Sequence, residues 1–351
     1  MKPRTVAATG SVGRWNRSDV PANSSPTGQP GADWATLRLR ANLLARIRAF
    51  FAQRDVLEVE TPALSAAAIP DQNLSSFAVH YTGPGLRYGQ TLYLHTSPEF
   101  PMKRLLAAGS GCIYQIARVF RDGEAGHRHN PEFTLLEWYR VGFDHHRLMD
   151  ETVDLVTELL TGRVSLREPE RLTYHEIFQR RLGLDPHRAM VPELAAGAKT
   201  QNLSIPPGMP VDDPDPWLDL LLTHCIEPEL GQGRLTFVYD YPISQAALAR
   251  VRPGDPPVGE RFELYLNGVE LANGFHELGD AREQRCRFEA ENTARQAAGL
   301  PTMPVDEKLL AALETGLPEC AGVALGFDRL VMLAAGKTAL AEAMAFSFER
   351  A

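Results

Sequence analysis

Apolar side chains recur at helical spacing from Trp34 to Gln53, with Leu37, Leu43, Leu44, Ile47, Phe50 and Phe51 on one face. This predicts a helix that buries one side. It leads into a strand over Val56 to Val59, stopped by Pro62, and later come a short strand from Leu92 to His95 and a helix from Pro98 to Ala108 with proline at a favourable start. Two β-rich runs, Tyr114 to Arg121 and Glu132 to Tyr139, flank a polar loop and predict a long hairpin. A strongly periodic helix follows from Asp144 to Leu160. Residues 168–216 are rich in Pro, Gly and charge and read as an insertion with a short helix at Tyr174 to Leu182. Beyond it the pattern gives a helix from Trp217 to Leu230, a strand from Leu235 to Tyr239, a hairpin from Arg261 to Asn273 and a polar helix from Asp280 to Ala298. A short apolar strand from Gly322 then turns through Gly326 into a helix near Asp328. Hairpins bracketed by helices predict an α+β fold, an antiparallel sheet with helices packed on it. Residues 1–32 lack apolar periodicity and read as a disordered tail before one folded unit at 33–351.

The second hairpin permits a geometric argument. Asn267-Gly268 is a strong two-residue turn signal, which sets Leu266 against Val269, Tyr265 against Glu270 and Glu263 against Ala272. Glu263 and Glu270 then share a face on adjacent strands, diagonal neighbours about 7–8 Å apart at the backbone. Two such acids suit magnesium, which commonly takes one or two carboxylates together with phosphate oxygens. From the hairpin alone they read first as solvated acids on an exposed sheet face. Arg121 and Arg329 end separate elements, and permanently charged planar forks from two directions suit a polyphosphate. Taken singly, each reads as a surface ion-pair partner.

Three segments carry a resemblance. Tyr114–Arg121 with His129-Asn-Pro-Glu-Phe133 resembles motif 2 of the class II aminoacyl-tRNA synthetases, Gly322–Arg329 resembles motif 3, and Asp55–Pro62 the end of motif 1. Thr96-Ser-Pro-Glu99, His129–Phe133 and Glu260–Glu277 resemble the lysine branch of that class. The likeness covers about Trp34 to the C-terminus. It implies ATP and Mg2+ as cofactors, with Arg121 on the α-phosphate and Arg329 on the γ-phosphate as catalytic residues. ATP would be bound by these two with Asp122, Gly123, Glu124, Asn130, Phe133, Glu270, Leu271 and Gly326, and magnesium by Glu263 and Glu270. The amino-acid pocket would take Ser97, Pro98 and Glu99 at the α- or β-amino end, and Glu137, Tyr139 and Glu277 at the distal ammonium, with Asn273 and Ala324 beside them. Glu137 and Tyr139 also share a face by strand period. Where the synthetases often place an acid two residues after the motif 2 arginine, this chain has Gly123, with Glu124 displaced by one. Ala324 replaces a glycine of the lysyl enzymes, and its methyl favours a shifted amino group, as in β-lysine, by about 1–3 kcal/mol.

A lysyl-tRNA synthetase carries an anticodon-reading β-barrel before motif 1, and the residues before Asp33 cannot build one, so no anticodon recognition is expected. A lysine-branch catalytic domain without that barrel resembles the elongation factor P β-lysine ligases. That resemblance implies activation of (R)-β-lysine, or of lysine, as an adenylate, and transfer to a lysine side chain of elongation factor P by a homodimer. Three other readings stay open at this point: a stand-alone enzyme that charges tRNA, an amide-forming relative of the asparagine-synthetase type, and a non-catalytic regulatory paralogue that binds an amino acid or a protein.

Composition narrows the field. The formal net charge of −8, without a basic stripe, argues against broad nucleic-acid affinity. Cys112, Cys225, Cys286 and Cys320 lack paired spacing, so neither a disulfide frame nor a zinc site is predicted, and a cytoplasmic location is expected. Two histidine pairs, His127 with His129 and His145 with His146, have no further ligand types beside them in sequence. No apolar core of a secretory signal and no run of eighteen apolar residues is present, so no membrane is expected.

Overall fold

The computed structural model of the protein describes residues 28–85 and 89–351. Most of the expected tail, residues 1–27, lies outside that range. Gly31 and Ala32, counted in the tail by sequence, donate backbone hydrogen bonds to Ala345 and Met344, so the folded body begins earlier than predicted.

Twelve strands and nine α-helices are present among the described residues. Helix α1 (Trp34–Ala52) starts at an Asp33 cap that accepts from the Thr36 amide, which satisfies a donor the helix itself leaves free. Short strands β1 (Leu57–Glu58), β2 (Leu64–Ser65), β3 (Ala78–Tyr81) and β4 (Gln90–Leu94) lead to α2 (Glu99–Ala107) and the motif 2 hairpin, β5 (Ile113–Phe120) with β6 (Glu132–Val141). Helix α3 (His145–Leu160), strand β7 (Arg167–Thr173) and helices α4 (Tyr174–Leu182), α5 (Val191–Thr200) and α6 (Asp215–Leu221) follow. Then come β8 (Arg234–Pro242), β9 (Val251–Arg252), the hairpin β10 (Val258–Leu266) with β11 (Val269–His276), helices α7 (Ala281–Ala297) and α8 (Glu307–Thr315), β12 (Cys320–Gly326) and α9 (Phe327–Ala334).

The large sheet runs β1-β5-β6-β12-β11-β10-β8-β7 with β9 beside β10. Its six central strands are antiparallel, as expected, while both outer pairings, β1 with β5 and β7 with β8, are parallel. Segment 168–216 carries more structure than its composition predicts: β7 joins the sheet, and α4, α5 and α6 build a core with Leu172, Phe178, Leu194 and Trp217. Its polar and Pro/Gly-rich connections hid two regular elements whose apolar residues are few but fully used.

Strand alternation divides the two faces. Leu136, Trp138, Val323, Leu325, Phe262 and Leu264 point to the back, where α1, α3 and α9 cover them in the main core. Their sequence neighbours Glu137, Tyr139, Gly322, Ala324, Arg261 and Glu263 point to the front. There, α2 packs over one end, α4 to α6 over the other and α7 with α8 along the side. The uncovered strip between these helices is a cleft.

Candidate active site

The cleft has a volume of about 870 Å³. Its floor is a row of paired residues across neighbouring strands: Glu137 on β6 opposes Ala324 on β12, Ala324 opposes Asn273 on β11, and Asn273 opposes Glu263 on β10. That last pairing corrects the sequence expectation of Glu263 against Ala272. Tyr265 does face Glu270 and Leu266 does face Val269, but a β-bulge at Leu271 shifts the register beyond them. The extra residue keeps Glu270 and Asn273, three apart, on the front face together.

One end of the cleft gathers two arginines, Arg121 and Arg329. Arg121 leaves the end of β5 with its Nη1 3.5 Å from Glu124, and its guanidinium lies 5.0 Å from the Phe133 ring centroid. The displaced acid Glu124 therefore does face the motif 2 arginine. Arg329, on the first turn of α9, donates to the Glu270 carbonyl at 2.9 Å and contacts the Glu270 carboxylate at 3.2 Å. Its Nη2 lies 2.9 Å from His129 Nε2. Burial, and then the Arg329 charge, hold His129 below the ordinary histidine range, which leaves the ring neutral and Nε2 free to accept. Asp328 fixes the start of α9, accepting from the Thr134 amide at 2.7 Å and pairing with Arg40 of α1.

Beside Arg329 three carboxylates crowd one corner. Glu263 pairs with Arg261 and accepts from the Tyr265 hydroxyl at 2.5 Å. Glu227, which sequence reasoning missed, accepts more weakly from the same hydroxyl at 3.3 Å. Burial, followed by repulsion from Glu263 and Glu270, pushes Glu227 up to about 7. Three acids share two arginines here, so the corner carries surplus negative charge at the place a divalent cation with phosphate oxygens would use. The donor set fits magnesium, a hard cation that prefers oxygen ligands.

The opposite end holds a buried acid, Glu137. Glu137 is 2% exposed, and its two oxygens accept from Ser97 Oγ and the Tyr139 hydroxyl, each at 2.7 Å. Among the described residues it has no cationic partner. Burial, and after it the nearby Glu99 charge, push its carboxyl up to about 8. A buried acid with hydrogen bonds but no counter-charge is costly until a cation arrives. Gly322 lets Tyr139 lie across β12, since a Cβ there would sit 2.3 Å from the ring and 2.5 Å from Glu277 Oε1.

Glu99 and Glu277 behave differently, and the cause is a residue the sequence reading did not single out. Lys103, one turn along α2 from Glu99, is 1% exposed with its Nζ 2.6 Å from Glu99 and 2.5 Å from Glu277. Burial alone would strip its proton, but Glu277 and Glu99 outweigh it and hold the ammonium firmly charged. Glu277 does not line the cleft, and its charge is already met by the chain's own lysine. Pro98, Asp122 and Gly123 also stand off the cleft wall; Pro98 caps α2, and Gly123 turns the motif 2 loop with φ +85°. Asn130 reaches the cleft but spends its amide on the Phe348 N–H and the Glu132 carbonyl. The remaining expected residues line the cleft together. Lys103→Met should cost about 3–5 kcal/mol of stability at neutral pH, because it leaves two buried acids without their cation. Denaturant titration measures this, and the deficit should shrink at pH 5 as Glu277, which burial already pushes up, takes up a proton.

Comparison with known proteins agrees with this geometry. Residues 33–350 match the family described as tRNA synthetases class II (D, K and N). The curated elongation factor P--(R)-beta-lysine ligase of Vibrio cholerae serotype O1 is 53% identical over 322 residues, 92% of this chain and 98% of the relative. The protein of the same description from Klebsiella pneumoniae strain 342 is 49% identical over 94% of this chain and all of its own length. That from Salmonella paratyphi B is 50% identical, again over 94% of this chain and the whole of the relative. The chain belongs to the class II tRNA synthetases (D, K and N), and within them to the family of the elongation factor P (R)-β-lysine ligases.

Proposed function

We propose that this chain activates (R)-β-lysine with ATP and transfers it to a lysine side chain of elongation factor P. The printed names of its relatives supply the substrates. The observation in this chain that carries the reading is Glu137, a buried carboxylate without a counter-charge on the same floor as the phosphate-directed arginines. An asparagine-type relative would bring an acid to that end, which Glu137 would repel.

In this reading the substrate's distal ammonium pairs with Glu137, and Ser97 and Tyr139 orient the carboxylate through their hydroxyls. Glu277 and Glu99 act indirectly, by holding Lys103 in the wall. The substrate carboxylate attacks the α-phosphorus in line and pyrophosphate departs, leaving the aminoacyl adenylate. Arg121 meets the charge that develops on the α-phosphate and Arg329 holds the γ-phosphate, both pre-oriented by their neighbours. Magnesium held by Glu263 and Glu270, with Glu227 behind them, would supply charge neutralisation to the pyrophosphate. The neutral amine of the acceptor lysine then attacks the activated carbonyl. An amide forms, AMP leaves and the surplus proton passes to water. The exposed apolar side chains of Leu57, Leu64 and Val79 support a homodimer. Four free cysteines support a reducing cytoplasm. No helix among the described residues is long and apolar enough to cross a membrane.

Intact-mass measurement of elongation factor P incubated with this enzyme, ATP and each lysine isomer tests the proposal. The expected result is a single added lysyl mass, formed fastest with (R)-β-lysine and absent without ATP. No added mass under any of these conditions defeats the acceptor assignment.

A further inference from the structure

A cluster behind the sheet takes no part in the chemistry above. The alternation that sends Arg261, Glu263, Asn273 and Phe275 into the cleft sends Glu260 and His276 to the opposite face. The first residue of α3, His145, meets them there, and one ligand-type atom from each of the three lies within 4.8 Å of the others. His276 Nδ1 stands 2.6 Å from Glu260 Oε2, and its Nε2 stands 3.2 Å from Glu319. Asp240, on β8, brings Oδ1 to 3.9 Å from His145 Nε2.

Two independent observations mark this as more than an ion pair. His145 is 1% exposed, and neither of its ring nitrogens has a hydrogen-bond partner among the described residues. Asp240 Oδ1 is likewise buried and unpartnered, so three polar atoms converge here with nothing to satisfy them, at about 1–3 kcal/mol each. Asp240 also holds φ at +60°, a left-handed conformation that a non-glycine residue adopts at a cost. One oxygen of its carboxylate pairs with Arg252, and the other is the one that stands 3.9 Å from the imidazole.

We propose that His145, His276, Glu260 and Asp240 form a zinc-binding site that ties α3 to strands β8, β10 and β11. Zinc takes imidazole and carboxylate ligands at about 2.0–2.2 Å in a tetrahedron, which puts donor atoms about 3.3 Å apart. The present separations, from 2.6 Å between His276 Nδ1 and Glu260 to an outer limit of 4.8 Å across the three residues, bracket that value. His276 would bind through Nδ1, giving up the proton it shares with Glu260, while its Nε2–H donates to Glu319, the carboxylate–histidine–metal arrangement that fixes ring and tautomer. Arg252 already braces both acids, with Nη2 2.5 Å from Asp240 and Nη1 3.5 Å from Glu260. Three acids, Asp240, Glu260 and Glu319, face two arginines, Arg252 and Arg250, which leaves one net negative charge to favour a cation. Two imidazoles select zinc over magnesium, which separates this site from the cleft corner. Sequence spacing could not reveal it, because the ligands come from four elements.

The full chain, stripped with EDTA and desalted, is titrated with zinc chloride against a chromophoric zinc chelator. One zinc per chain is expected, with a raised melting temperature, and cobalt(II) in its place should show the visible bands of a tetrahedral N/O site. His145→Leu, which removes both orphaned nitrogens, should weaken zinc binding by at least about 100-fold, and Asp240→Asn by about 10-fold or more. The double variant Glu263→Gln/Glu270→Gln, which removes the cleft acids, should bind zinc as the parent does. The proposal is overturned if the parent takes up no stoichiometric zinc, if His145→Leu binds it equally, or if only the cleft double variant loses it. Should circular dichroism show His145→Leu unfolded, Asp240→Asn decides, and unchanged affinity there removes the site.

Discussion

Glu137→Gln is expected to weaken binding of the diamino acid by about 2–5 kcal/mol, roughly 30-fold to several thousand-fold, while making the empty protein more stable in alkali. The two effects share one cause. The side chain keeps its shape and one accepting oxygen for Ser97 or Tyr139 but loses the charge that an ammonium would meet. In the parent the carboxyl sits at about 8 against an ordinary value of 4.5. Between those values the unfolded chain has released a proton that the folded chain keeps. Stability contributed at this position therefore falls as pH rises, by at most about 1.4 kcal/mol per unit, and the whole penalty is present above the folded value. Glutamine has no such slope. Melting temperatures of parent and variant measured from pH 5 to pH 9 should diverge in favour of the variant, and calorimetric titration with lysine isomers should show the affinity loss. Parental affinity in the variant would remove Glu137 from the substrate site.

Arg329→Ala should lower β-lysine-dependent exchange of pyrophosphate into ATP by about 10²–10³-fold, the scale of removing one pre-oriented donor from a developing charge. Nothing in the amino-acid end depends on this residue, so affinity for the diamino acid alone should stay near the parental value. Arg329→Lys is the informative companion. Its point charge cannot reproduce the fork that now spans the Glu270 carbonyl, the Arg128 carbonyl and His129, so only part of the activity should return. Exchange at the parental rate in Arg329→Ala would contradict the assignment of this residue to the γ-phosphate.

Much of this was legible in residue order, because the strands and helices are locally determined. The Asn267-Gly268 turn is where the sequence puts it, and the α1, α3 and motif 2 boundaries fall within two residues of their patterns. What escaped notice depends on contacts distant along the chain. The bulge at Leu271 has no glycine or proline to announce it, yet without it Asn273 and Glu270 would face opposite ways. Lys103 reads in sequence as an ordinary solvated partner of Glu99 at one helical turn; only the arrival of Glu277 beside it, from beyond β11, makes it a buried wall charge. Strand β7 opens with four charged residues around Pro169, from Arg167 to Arg171, on a sheet edge and so lacks the apolar signal of a strand.

The floor running from Glu137 through Ala324 and Asn273 to Glu263 works as a ruler. Each step is one interstrand spacing of about 4.8 Å, set by backbone hydrogen bonds that no side-chain substitution stretches, so the ammonium anchor and the acidic corner stay about 14 Å apart. Under the proposed function, a guest shortened by one methylene would reach Glu137 or the reactive phosphorus but not both. Chain length would thus be gauged by the count of strands between two acids.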